Sequence, residues 1–142
     1  MRHELIPYLE ERFNPGIRAA LARTASVLAD EAAYVRAEAE ALLARIVRAE
    51  GGALLLRRAP LAEAPSAVAR AAIRLALLRA GGLAQVGALH VDQVLRLARA
   101  KAPSGRRLPL PGGREARFTR DDVRIEVHTG RGTKAVSSRE EP

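Results

Sequence analysis

The apolar residues of this chain change period once, and that change constrains the fold more than anything else in the sequence. Up to about residue 100 they recur every three or four positions, with one short break; from Arg107 they recur every second position. A period of 3.6 buries one stripe of a helix, and a period of 2 buries one face of a strand. Helices first and strands afterwards predict an α+β chain. Aromatics make up only 3% of the 142 residues, so the core has to come from Ala, Leu, Val and Ile.

A first helix is predicted over about Arg2 to Arg12, carried by Leu5, Ile6, Leu9 and Phe13, with Pro7 tolerated near its start. Asn14-Pro15 supplies an N-cap and a first helical position. The second helix is predicted from Pro15 to Ala49, about 52 Å at 1.5 Å per residue. Its seam pairs Leu21, Leu28, Val35 and Leu42 with Ala25, Ala32, Ala39 and Ile46, a heptad-like stripe suited to an internal core or a partner helix. Gly51-Gly52 reads as its stop. A short strand follows over Ala53 to Arg58. A third helix then runs from Pro65-Ser66 to Gly81-Gly82, and a fourth from Val91 to Ala102 with His90 as N-cap.

The last third reads as an antiparallel β-meander. Leu108 and Leu110 come first, then Ala116 and Phe118, then Val123, Ile125 and Val127. Gly112-Gly113 and Asp121-Asp122 mark its turns. Arg107, Arg117 and Arg124 fall on the wet side of the alternation. Apolar residues nearly vanish after Thr129, which predicts a disordered tail. The expected organisation is a helical segment over 1–50, a basic α+β substrate-binding domain over 51–128, and the tail over 129–142.

Charge is concentrated in the middle. The chain carries 24 Lys+Arg against 16 Asp+Glu, a net +8. Residues 1–50 sum to −1, residues 51–113 to +8 and residues 114–142 to +1. A localised positive field points to a polyanion. The clusters are Arg57-Arg58, Arg70 with Arg74, Arg106-Arg107, and Arg114 with Arg117. Few aromatics means little base stacking, so phosphates and RNA shape are the expected contacts. Arginine outnumbers lysine 22 to 2, so part of this excess can reflect codon bias.

Catalytic chemistry is hard to find. There is no cysteine, hence no thiolate ligand, Cys nucleophile or disulfide. His3, His90 and His128 lie on different elements and share no metal spacing. The glycines of Thr129 to Lys134 follow a strand, but no helix follows them, so a phosphate loop is rejected. No apolar run reaches the ~20 residues of a membrane span, and the start has no signal-peptide pattern.

An ordered set of residues resembles one family. It begins with Arg2-His3-Glu4-Leu5-Ile6-Pro7, Asn14-Pro15 and Arg23-Thr24-Ala25. It continues through Pro65-Ser66-Ala67-Val68-Ala69-Arg70 and His90, then Ser104-Gly105, Leu108-Pro109-Leu110-Pro111-Gly112-Gly113 and Val123-Arg124-Ile125. Over about residues 2 to 128 the chain resembles the region that follows the catalytic domain of tRNA(Ile)-lysidine synthetases. That resemblance implies an ATP-dependent enzyme that adenylates the wobble cytidine of an isoleucine tRNA and ligates lysine to it. The family's Ser-Gly-Gly-x-Asp-Ser loop is absent here, so the chain is expected to be inactive alone and to hold no catalytic, cofactor or metal residue. ATP would serve the whole enzyme. The expected partners are tRNA and an N-terminal catalytic domain, with a homodimer through the long helix as a further one. The expected location is the cytoplasm, away from membranes. A stand-alone RNA-binding module and a helical protein-interaction domain are the alternatives.

Overall fold

The computed structural model describes residues 5, 7, 8, 11, 12 and 16–126. The Asn14-Pro15 cap, His3, His128, Val127 and the predicted tail lie outside the described residues. The chain forms two compact units, one ending at Val35 and the other beginning at Arg36.

In the first unit, Leu5, Pro7, Tyr8, Glu11 and Arg12 are helical, as the spacing predicts. The Arg12 guanidinium lies 5.2 Å from the centre of the Tyr8 ring, a cation–π contact. The long helix α1 spans Ile17–Ile46. Before Arg36 its large apolar residues Leu21, Val27, Leu28 and Tyr34 are exposed.

The second unit packs helices on one face of a five-stranded antiparallel sheet. Its strands are β1 (Val47–Glu50), β2 (Ala53–Arg57), β3 (Arg107–Leu110), β4 (Arg114–Phe118) and β5 (Asp122–Glu126). The order across the sheet is β1-β2-β5-β4-β3. Its helices are the end of α1, then α2 (Arg58–Glu63), α3 (Ser66–Arg79) and α4 (Ala88–Ala98).

Two expectations change here. The long helix stops at Ile46, and Val47–Glu50 becomes a strand. Gly51 and Gly52, at φ 59° and 77°, are the two central residues of a hairpin turn that sets Glu50 opposite Ala53. Positive φ at both positions matches the twist of paired strands, and glycine adopts it without steric cost. The pair that reads as a helix stop is therefore a hairpin turn. The predicted meander also gains this hairpin, because β2 pairs with β5 through Leu54 opposite Ile125 and Leu56 opposite Val123.

Smaller differences are local. Arg58 opens the short helix α2 instead of closing β2. Helix α4 begins at Ala88, so His90 sits in its first turn. There its Nδ1 accepts the Gly87 N–H at 2.9 Å, the return half of a capping box. The β3–β4 connection is three residues, since Leu110 pairs with Arg114.

The core lies between the sheet and the helices. Leu56, Val123, Ile125, Ala116 and Phe118 face Leu42, Leu43 and Ile46 of α1, Ile73 and Leu77 of α3, and Val91 and Val94 of α4. Fully buried Ala39, Ala69, Ala72, Ala76 and Ala98 keep these elements close. Among the described residues, Phe118 is the one aromatic in this core, at 1% exposure.

Candidate nucleic-acid interface

The sheet's other face is built of charge. Arg107 pairs with Arg117, Arg117 with Arg124, Arg124 with Leu55, and Leu55 with Arg48. Residues directly opposite on neighbouring strands share a face. One row of four arginines and one leucine thus crosses all five strands, over about 19 Å at the usual strand spacing. Arg107 and Arg117 are exposed, Arg124 is half-buried, and Leu55 lies beneath the row at 7% exposure. Like charges set directly opposite destabilise a sheet, and here Arg48, Arg117 and Arg124 each have a glutamate neighbour that offsets part of that cost.

The antiparallel order brings the starts of β1, β5 and β3 to the same end of the sheet as the ends of β2 and β4. Two hollows open there. One, of ≈ 370 Å³, is lined by Arg48, Arg57, Ala59, Pro60, Arg120, Asp121 and Asp122. The other, of ≈ 190 Å³, is lined by Gly105, Arg106, Arg107, Arg117, Phe118 and Thr119. Arg48 forks onto Asp122, with Nη1–Oδ1 at 3.3 Å and Nη2–Oδ2 at 3.2 Å. That hydrogen bond, and next the Asp122 charge, raise the Arg48 pKa above its ordinary value and hold the guanidinium charged.

The sequence-predicted arginines divide sharply. Arg106, Arg107 and Arg117 meet around the smaller hollow, and Arg57 lines the larger one. Arg70 and Arg74 share a face of α3, where Arg70 Nε bonds Asp92 of α4 at 2.6 Å and Arg74 is exposed. Arg58 and Arg114 belong to neither hollow.

Arg58 turns inward to the carbonyls of Arg120 at 2.8 Å, Ala98 at 2.7 Å and Ala100 at 3.2 Å. Arg114, 5% exposed, donates to Leu77 O at 2.9 Å and Pro111 O at 3.1 Å. Its burial lowers the guanidinium pKa. Arg99, outside the predicted set, donates to Ala62 O, Ala64 O and Ser66 Oγ at 3.0, 2.9 and 3.1 Å. Each of the three thus caps the C-terminal end of one helix: Arg99 for α2, Arg114 for α3 and Arg58 for α4. Helix C-terminal ends carry partial negative charge and carbonyls beyond the helix ladder, which a fork of donors meets, though Leu77 O also accepts the Ala80 and Gly82 N–H groups. Of the three, Arg114 is buried, Arg58 half-buried and Arg99 exposed, and all three spend donors on the fold's own carbonyls.

Two arginines of this end, Arg48 and Arg120, were missed by the sequence reading. Arg48 was assigned to the helix. The alternation of Val47 and Ala49 with Arg48 and Glu50 before Gly51-Gly52 is the hairpin signal that would have found it. Arg120 sits in the β4–β5 turn, where no apolar period speaks for its position.

Among the described residues, no group of three or more His, Asp or Glu could hold a metal ion, and no helix is long and apolar enough to cross a membrane.

Comparison with known proteins identifies a family domain within the second unit. Residues 56–124 match the TilS substrate binding domain, a stretch that contains β3, β4, the first three residues of β5 and helices α2 to α4. The chain is 42% identical over 113 residues to the tRNA(Ile)-lysidine synthase of Geobacter sulfurreducens, which covers 78% of this chain and 24% of that protein. It is 39% identical over 114 residues to that of Solibacter usitatus, covering 79% and 26%. It is 36% identical over 129 residues to that of Thermobifida fusca, covering 89% and 38%. The chain thus spans between a quarter and two fifths of the length of these curated relatives. Residues 56–124 thus belong to the TilS substrate binding domain family, and over most of its length the chain is similar to part of tRNA(Ile)-lysidine synthases.

Proposed function

We propose that the second unit binds the tRNA substrate of a lysidine synthetase, with the arginine row and the adjoining sheet end as its phosphate-contacting surface. The observation that carries this reading is the row itself. Arg107, Arg117 and Arg124 stand side by side on three neighbouring strands, an arrangement costly to the sheet and useful to a phosphate backbone. Arg57, Arg106 and Arg120 extend the positive field past the row. Arg70 and Arg74 would be a second, weaker contact.

In this reading the chain positions tRNA, while adenylation by ATP and attack by lysine occur on an N-terminal catalytic domain. The chain is inactive alone, and the whole enzyme works in the cytoplasm. Fluorescence anisotropy with an isoleucine tRNA tests the binding. Affinity should fall steeply with salt, because each phosphate contact releases a counterion. An isotherm unchanged between low and moderate salt would overturn the reading.

The first unit supports a second reading. Leu21 and Leu28 lie seven residues apart on α1, and both are exposed. That stripe fits a homodimer through the long helix, and sedimentation equilibrium would show it.

A further inference from the structure

Resting on that function, we infer that Glu115 and Glu126 are specificity-determining residues, which confine the RNA backbone to a path across the strands. Three glutamates stand beside the arginine row, each two residues from an arginine on the same strand and face. Arg117 Nε lies 3.0 Å from Glu115, Arg124 Nε 3.3 Å from Glu126, and Arg48 Nε 3.6 Å from Glu50. All three carboxylates lie on the side of the row away from the Arg57, Arg106 and Arg120 end.

The arrangement does two things. Each carboxylate takes the Nε edge of its guanidinium and relieves the repulsion between neighbouring arginines. It also occupies one of the two edges by which a guanidinium can take a phosphate in a two-pronged grip. A phosphate can still approach at the smaller hollow, where Arg106 and Arg107 have no acidic partner among the described residues, whereas at the larger one Asp121 and Asp122 stand beside Arg57 and Arg120. A backbone that ran along the strands instead would pass from the arginine row onto the glutamates and be repelled. Such a face penalises a polyanion that cannot follow the row, while costing one that can very little, since exposed pairs of this kind are weak. The glutamates therefore act against the wrong ligand more than for the right one.

The test compares the full chain with the E115Q/E126Q and R106A/R107A double variants. Each is titrated with an isoleucine tRNA and with a double-stranded DNA of matched charge. The two glutamates are at a half-exposed surface, and thermal melting checks that the fold persists. The expected result is that E115Q/E126Q raises DNA affinity by about tenfold and tRNA affinity by about twofold, each pair being worth a few-fold at most, so that discrimination narrows. An unchanged ratio between the two ligands overturns the inference. If R106A/R107A weakens tRNA binding while the glutamine variant leaves that ratio unchanged, the inference alone is lost. If R106A/R107A binds tRNA as tightly as the unaltered chain, the sheet end is not the binding surface and both readings fall together.

Discussion

Two sets of arginines in the second unit have the same side chain and opposite fates. Arg58, Arg99 and Arg114 bend onto backbone carbonyls at helix ends. Arg106, Arg107 and Arg117 gather at an exposed end of the sheet, where Arg117 alone of the three has a carboxylate partner among the described residues. The difference lies in what surrounds each guanidinium. A helix C-terminus offers several carbonyls within one fork's reach, whereas most strand carbonyls are engaged in the ladder, and the row arginines find carboxylates and one turn carbonyl, Gly51 O at 3.5 Å from Arg124 Nη2. Guanidiniums at helix ends are therefore spent on the fold's own carbonyls, whereas Arg106 and Arg107 have no such partner among the described residues.

This contrast can be broken at its strongest point first. R114A removes a buried donor from Leu77 O and Pro111 O, and should cost about 3 kcal/mol in urea denaturation. R114K should recover part of that, since an ammonium reaches one carbonyl better than two. R58A should cost about 2 kcal/mol by the same measurement, because its site is only half-buried. Neither loss should be accompanied by a change in the salt dependence of tRNA binding beyond what unfolding explains.

At the sheet end the signature should reverse. R106A/R107A should leave the urea midpoint unchanged while weakening tRNA binding about tenfold, and should lower the slope of log affinity against log salt by about 2, one for each lost contact. The smallest effect belongs to the Arg70–Asp92 bridge, half-exposed on both sides. R70A should change stability by less than about 1 kcal/mol. A loss at Arg70 as large as at Arg114 would mean that exposure does not separate the two sets.

Much of the fold was legible in the residues. The α+β class, α3 and the outlines of the three C-terminal strands follow from the period of the apolar residues. The wet side of the meander was legible too, because alternation alone places Arg107, Arg117 and Arg124 together. Less legible was the stretch from Val47 to Glu50. Four residues fit the end of a helix or a short strand equally well, and the pairing with β2 made the choice. Helix α2 was invisible for a similar reason, being six residues long and anchored by a single buried Leu61.

The candidate site divides along the same line. Charge density made the middle of the chain the candidate for binding. It could not separate Arg57 from Arg58, neighbours that point to a hollow and to the helix ends respectively. Nor could it place Arg48 in one row with Arg107, since the sheet order that joins them depends on strands far apart in the chain. Period and composition are local properties, and they decide which elements form and where charge is abundant. Which arginines are absorbed by carbonyls and which stay free is decided by neighbours brought from elsewhere, and only the folded sheet and its helices supply them.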